Sequence, residues 1–130
     1  MNSVVHFEIP AKDKVRSMKF YGDVFGWAFN DMPEMNYTIV YTTEVDEKYM
    51  PKKSGAINGG MMAESDNGGT YPVLVIDVPS VDEYVKKITD AGGRVVNEKA
   101  KVGDMGYYAR VLDTEGVVIG IWESIPHQNS

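Results

Sequence analysis

The stretch Val4-Val-His-Phe-Glu-Ile-Pro-Ala-Lys-Asp-Lys-Val-Arg-Ser-Met-Lys-Phe-Tyr-Gly-Asp-Val-Phe-Gly-Trp27 decides how the rest of the chain is read. Its first six residues alternate as a strand does, with Val5, Phe7 and Ile9 on one face and His6 and Glu8 on the other. Past Pro10 the pattern changes to a helical one, with apolar residues at Val15, Met18, Tyr21, Val24 and Phe25, and it stops at Gly26. A helix with that stripe is expected to cover the Val5/Phe7/Ile9 face. His6 and Glu8 would then look out from the opposite side of the sheet, which makes them the first candidates for chemistry.

Working outward, Asn36–Thr43 is rich in β-branched and aromatic residues and reads as a strand. Glu44–Ser54 is a polar loop, and the glycine-rich Gly55–Ala63 is a weaker strand. Glu64–Thr70 is the best linker in the chain. The pattern then restarts. Tyr71–Val78 is a strand, and Ser80 with Glu83 forms a capping-box signature. A helix carrying Val81, Tyr84, Val85, Ile88 and Ala91 ends at Gly92-Gly93. Arg94–Val96, Gly106–Leu112 and Val117–Glu123 are further strands, with a turn at Asp113–Gly116.

Setting Gly26 on Gly93 gives an offset of 67 that also puts Phe7 on Leu74, Ile9 on Ile76 and Tyr21 on Ile88. Tyr37 matches Tyr108 at an offset of 71, and Gly55 matches Gly116 at 61. An internal duplication follows, each half reading strand–helix–strand–strand–strand. The expected organisation is one α+β domain over residues 1–130, with a first module at about 3–63, a linker at 64–70, a second module at about 71–123 and a tail at 124–130.

Bulk properties narrow the function. A net charge of -6 and a pI near 4.8 argue against a nucleic-acid partner. The chain has no cysteine, which removes disulfides, thiolate metal sites and cysteine nucleophiles together. No apolar run is long enough to span a membrane and no signal-peptide pattern opens the chain, so a cytoplasmic location is expected. Neither GxxxxGK[ST], GxGxxG nor GxSxG occurs.

The His-Phe-Glu-Ile-Pro-Ala opening, Phe20-Tyr-Gly-Asp-Val-Phe-Gly-Trp27, Asn58-Gly-Gly60 and the ending Asp113-Thr-Glu-Gly-Val-Val-Ile-Gly-Ile-Trp-Glu123 resemble the glyoxalase/bleomycin resistance/extradiol dioxygenase group. The resemblance to this vicinal oxygen chelate superfamily, and within it to single-domain lactoylglutathione-lyase-like members, covers residues 3–123. It implies paired βαβββ modules forming a curved, barrel-like mixed sheet with helices on the outside, and a homodimer. It also implies metal ligands on corresponding strands of the two modules. Carried over, these fall on His6, on Val73, on Gly120, and on Asn58 or Gly59. One imidazole and an amide oxygen fall short of the three protein ligands of a catalytic zinc site. The expectation is therefore a degenerate site without a metal, with Val73 and Gly120 as its lost positions and a divalent ion as the less favoured alternative. His127, the second histidine, lies in the tail.

His6 is a candidate acid or base, since its ordinary pKa lies near neutrality, and Glu8 is a candidate base or orienting group. Tyr37, Tyr41, Tyr108 and Trp122 are candidates to line a cavity and stack on a flat ligand, with Asn58 and Met61 beside them. Arg110, a lone cation in an apolar strand, is a candidate partner for a substrate carboxylate, against a cross-strand ion pair. Three functions follow from these residues and the resemblance: a metal-free lyase or isomerase using His6 or Glu8, a non-catalytic protein that sequesters a small molecule, or a metal-dependent enzyme of the glyoxalase or dioxygenase kind.

Overall fold

A computed structural model describes residues 1–64 and 70–126. Most of the expected linker, and His127, lie outside the described residues. The fold is α+β and is built from two βαβββ modules. By their contacts the residues form two compact units, Val5–Pro72 and Met1–Val4 with Val73–Ser130.

In the first unit, β1 (Val4–Ala11) leads through the Asp13 N-cap into α1 (Lys14–Phe25), and β2 (Ala28–Met32), β3 (Tyr37–Tyr41) and β4 (Gly59–Ala63) follow. The strands lie in the order β2-β3-β4-β1, with β4 parallel to β1 and antiparallel to β3. Asp13 Oδ1 accepts from Arg16 N–H at 3.0 Å, and Gly26 ends the helix at φ 74, a left-handed conformation that a Cβ would strain. Phe7 lies on the α1 side as the alternation requires. It joins Met18, Tyr21, Trp27 and Phe29 around buried Ala11, Val40 and Met61.

One expectation fails here. The stripe on α1 does not bury as a whole, because Val15, Val24 and Phe25 are 74%, 58% and 59% exposed. Met18 and Tyr21 carry the contact instead. At about 100° per residue, Val15 and Val24 each lie about 60° outside that pair on opposite flanks. The Tyr21 ring stacks on Trp27 with centroids 4.8 Å apart, so the indole takes the covering position expected of the helix's last turn. Strand β2 supplies the strand that the module count required and that no stretch of sequence located. Asn30 and Asp31 give it poor strand character, and it forms by pairing Ala28–Met32 with Tyr41–Tyr37 of β3.

The second unit repeats the design with β5 (Val73–Asp77), α2 (Val81–Asp90), β6 (Arg94–Val102), β7 (Gly106–Leu112) and β8 (Val118–Ser124), in the order β5-β8-β7-β6. Ser80 caps α2 as its sequence signature implies, accepting from Glu83 N–H at 3.2 Å. Glu123 Oε1 accepts from Val81 N–H at 2.9 Å, a second acceptor at the same helix end. Val81, Val85 and Ile88 pack on Ala109, Val111 and Ile121. Residues Met1–Val4 are tied to this unit: Ser3 O accepts from Asp77 N–H at 2.9 Å, and Asn2 bonds Asp77 O at 3.0 Å and the Tyr84 hydroxyl at 3.2 Å. Among the described residues no helix is long and apolar enough to cross a membrane.

The strand registers fix the equivalence of the two modules. Phe7 pairs with Gly59 and Glu8 with Gly60, as Leu74 pairs with Ile119 and Val75 with Gly120. The position equivalent to Gly120 is therefore Gly60, and not Asn58 or Gly59 as the resemblance alone suggested.

Candidate functional site

Side-chain alternation puts His6 and Glu8 of β1, Gly60 and Met62 of β4, and Tyr37, Ile39 and Tyr41 of β3 on the sheet face away from α1. Gly60 lies between β1 and β3, directly opposite Glu8 on one side and Ile39 on the other. It decides what happens there. With no side chain on β4 at that point, the Tyr37 ring lies across the strand, its phenol oxygen in the volume a Cβ on Gly60 would fill. Tyr37 thereby reaches β1. Its hydroxyl donates to Glu8 Oε2 at 3.1 Å and sits 3.0 Å from His6 Nε2.

The carboxylate of Glu8 is buried, at 5% exposure, so a donor that satisfies it offsets part of the cost of its burial. Burial holds the His6 imidazole below its ordinary pKa, and the nearby Glu8 charge pulls it part of the way back. The imidazole is consequently neutral at pH 7 and has a basic nitrogen to offer.

The second module carries the same crossing with different cargo. Tyr108 of β7 lies over Gly120 of β8, where an added Cβ would stand 2.6 Å from its hydroxyl. Arg110, 7% exposed, donates from Nε to the Tyr108 hydroxyl at 3.0 Å. Trp122 pairs with Tyr108 on the same face, its ring over Gly106, and its indole N–H donates to Ser124 Oγ at 3.0 Å. Val73 and Val75 stand where the first module has His6 and Glu8, and Arg110 stands where it has Ile39.

The remaining candidates are placed as follows. Tyr41 shares the Tyr37 face at the far end of β3. Met61 is fully buried on the opposite, α1 side with Ala11 and Val40, and it is Met62 that shares the Tyr37 face. Asn58 Oδ1 accepts from the backbone N–H groups of Thr42 and Thr43 at 2.8 and 3.1 Å. The amide oxygen considered as a metal ligand thus holds the end of β3. A separate recess of about 500 Å³, walled by Ile76, Val78, Tyr84, Ile88, Ile119 and Ile121, lies on the α2 side of the second sheet, away from Tyr108 and Arg110.

The positions that the resemblance offers to a metal hold one imidazole, with Nε2 engaged by Tyr37, one valine, and two glycines whose space the phenols of Tyr37 and Tyr108 fill. Among the described residues no three His, Cys, Asp or Glu side chains gather at one point. These residues do not fit a divalent ion at the superfamily's position. The Tyr–Gly crossings were missed from sequence, although a glycine in β4 and β8 together with the Tyr37/Tyr108 match was the available signal.

Comparison with known proteins agrees with this fold. A family model described as bleomycin resistance protein-like N-terminal matches residues 3–43. The chain is 30% identical over 125 residues, 92% of its length, to CFP32 of Mycobacterium bovis, assigned as a glyoxylase. It spans 45% of that relative. Among solved structures, a methylmalonyl-CoA epimerase of Streptomyces coelicolor matches with a TM-score of 0.64 at 16% identity, covering 100% of this chain and 99% of that one. A glyoxalase/bleomycin resistance protein/dioxygenase superfamily member of Vibrio splendidus matches with a TM-score of 0.62 at 13% identity, covering 96% and 100%. The N-terminal match, the sequence relatives and the paired βαβββ modules point the same way: residues 3–43 are similar to the bleomycin resistance protein-like N-terminal family, and the chain has the fold of these solved glyoxalase/bleomycin resistance protein/dioxygenase and epimerase structures.

Proposed function

We propose that the protein binds a small organic molecule and acts on it as a metal-independent isomerase or lyase, with His6 as the base. The observation that carries this reading is the neutral imidazole of His6, hydrogen-bonded to a phenol that Glu8 holds in turn. A neutral imidazole can take a proton from a carbon next to a carbonyl, the electron pair passing into the carbonyl as an enolate. The imidazolium so formed is stabilised by the charge of Glu8, and in an isomerisation it returns the proton to carbon. The epimerase among the structural neighbours is named for a reaction of this class, which supports the choice of chemistry. No metal is required at the superfamily's position, in keeping with the donor set found there. A homodimer in the cytoplasm belongs to the same proposal, and sedimentation analysis tests the oligomeric part.

The test is deuterium uptake from D2O, in the presence of a chelator, with methylmalonyl-CoA and S-lactoylglutathione as probes. Exchange at the carbon next to the carbonyl, lost in His6→Ala, is the expected result. Exchange that needs added nickel or zinc, or that survives in His6→Ala, overturns it.

A second reading, sequestration without turnover, is favoured by the match to a bleomycin resistance protein-like model over residues 3–43. The net charge of -6 suits a cationic ligand. Calorimetry with bleomycin giving one-to-one binding, alongside no deuterium uptake with either probe, selects this reading over the first.

A further inference from the structure

A phenol hydroxyl has a single proton, and in Tyr37 that proton is directed at Glu8 Oε2, since a carboxylate can only accept. The contact of 3.0 Å between Tyr37 Oη and His6 Nε2 then has one chemically consistent form, with the imidazole donating from Nε2–H and the phenol oxygen accepting. In a neutral ring this leaves the lone pair on Nδ1. Among the described residues His6 makes no other hydrogen bond.

We infer that Tyr37 is a positioning residue that locks His6 in the Nε2–H tautomer, making Nδ1 the nitrogen that takes a proton, and that Gly60 exists to let it do so. The inference deepens the proposed function and rests on it for the role of Nδ1, but the tautomer itself is a property of the unliganded protein. Three features of the structure converge on it. Glu8 fixes the direction of the phenol proton, and the bare backbone at Gly60 brings the ring across β4. The second module shows the same crossing put to the same kind of use, with Tyr108 over Gly120 accepting from Arg110 Nε at 3.0 Å. A tyrosine laid over a glycine thus recurs at equivalent registers as a hydroxyl aimed at an ionisable neighbour. Coordination of an ion by His6 Nε2 would require loss of that proton and of the bond to Tyr37.

The experiment is a long-range ¹H–¹⁵N correlation spectrum of the side-chain imidazoles at pH 8, with His127→Gln used to assign the two histidines. The Nε2–H pattern is expected for His6 in the wild-type protein. In Tyr37→Phe, which keeps the ring and removes only the hydroxyl, the ratio of the two tautomers should fall about 2- to 10-fold, the value of one hydrogen bond. Backbone amide spectra establish that the variant is folded. An Nδ1–H pattern in the wild type, or an unchanged ratio in folded Tyr37→Phe, overturns the inference. A shifted ratio together with no deuterium uptake on either probe leaves the tautomer lock standing and removes the proposed isomerase.

Discussion

The hydroxyl of Tyr37 occupies the place where a side chain on Gly60 would begin. Gly60 lies in an extended strand, so its backbone tolerates alanine, and the cost of substitution falls on the phenol. Gly60→Ala should destabilise the protein by about 1–3 kcal/mol, the usual price of overpacking. Urea unfolding measures it, and the double variant Gly60→Ala/Tyr37→Ala should recover part of the loss. A single variant as stable as wild type would show that the ring does not cross β4.

His6 adds a pH dependence whose sign follows from its lowered pKa. Between the folded value and the ordinary value of 6.5, the unfolded chain holds more proton on this residue than the folded one does. Its contribution is therefore fully present above pH 6.5 and is lost as pH falls through the folded value. Stability curves of wild type and His6→Gln should run parallel above pH 7 and diverge below 6.5, with the wild type falling more steeply. Parallel curves down to pH 5 would contradict the burial assigned to this imidazole.

Met61 and Met62 separate the two faces of β4. Met61 is fully buried under α1, so Met61→Ala should cost about 2–5 kcal/mol in chemical denaturation. Met62, half-buried on the Tyr37 face, should lose less on the same substitution. The reverse order would place the core on the wrong side of the sheet.

The N-terminus of α2 has two side-chain acceptors, Ser80 Oγ and Glu123 Oε1, serving different N–H groups. Ser80→Ala and Glu123→Ala should each cost about 1 kcal/mol in thermal unfolding. The Ser80→Ala loss should leave the His6 tautomer ratio untouched. A change in that ratio would show that the cap and the imidazole are coupled.

The doubling was legible because it rests on periodicity and on punctuation by Gly26 and Gly92-Gly93, which short-range physics enforces. Strand β6 was read as Arg94–Val96 and runs to Val102, because Asn97–Lys101 has no apolar alternation and is held by pairing with β7, through two register shifts. Strand β2 was lost for the same reason. The face of His6 and Glu8 followed from alternation alone. What Tyr37 does there did not, because its reach depends on which β4 residue stands opposite, and register is a long-range property. Arg110 was visible as an odd cation, but its bond to Tyr108, two residues away on the same strand, was not foreseen.

The stitching of Asn2 and Ser3 onto Asp77 and Tyr84 bears on how this polypeptide can be dissected. A gene fragment encoding residues 71–130 would supply every strand of the second half and still lack residues 1–4, which are bonded to it. Such a fragment should recover its melting temperature when a synthetic peptide spanning residues 1–11 is added in trans.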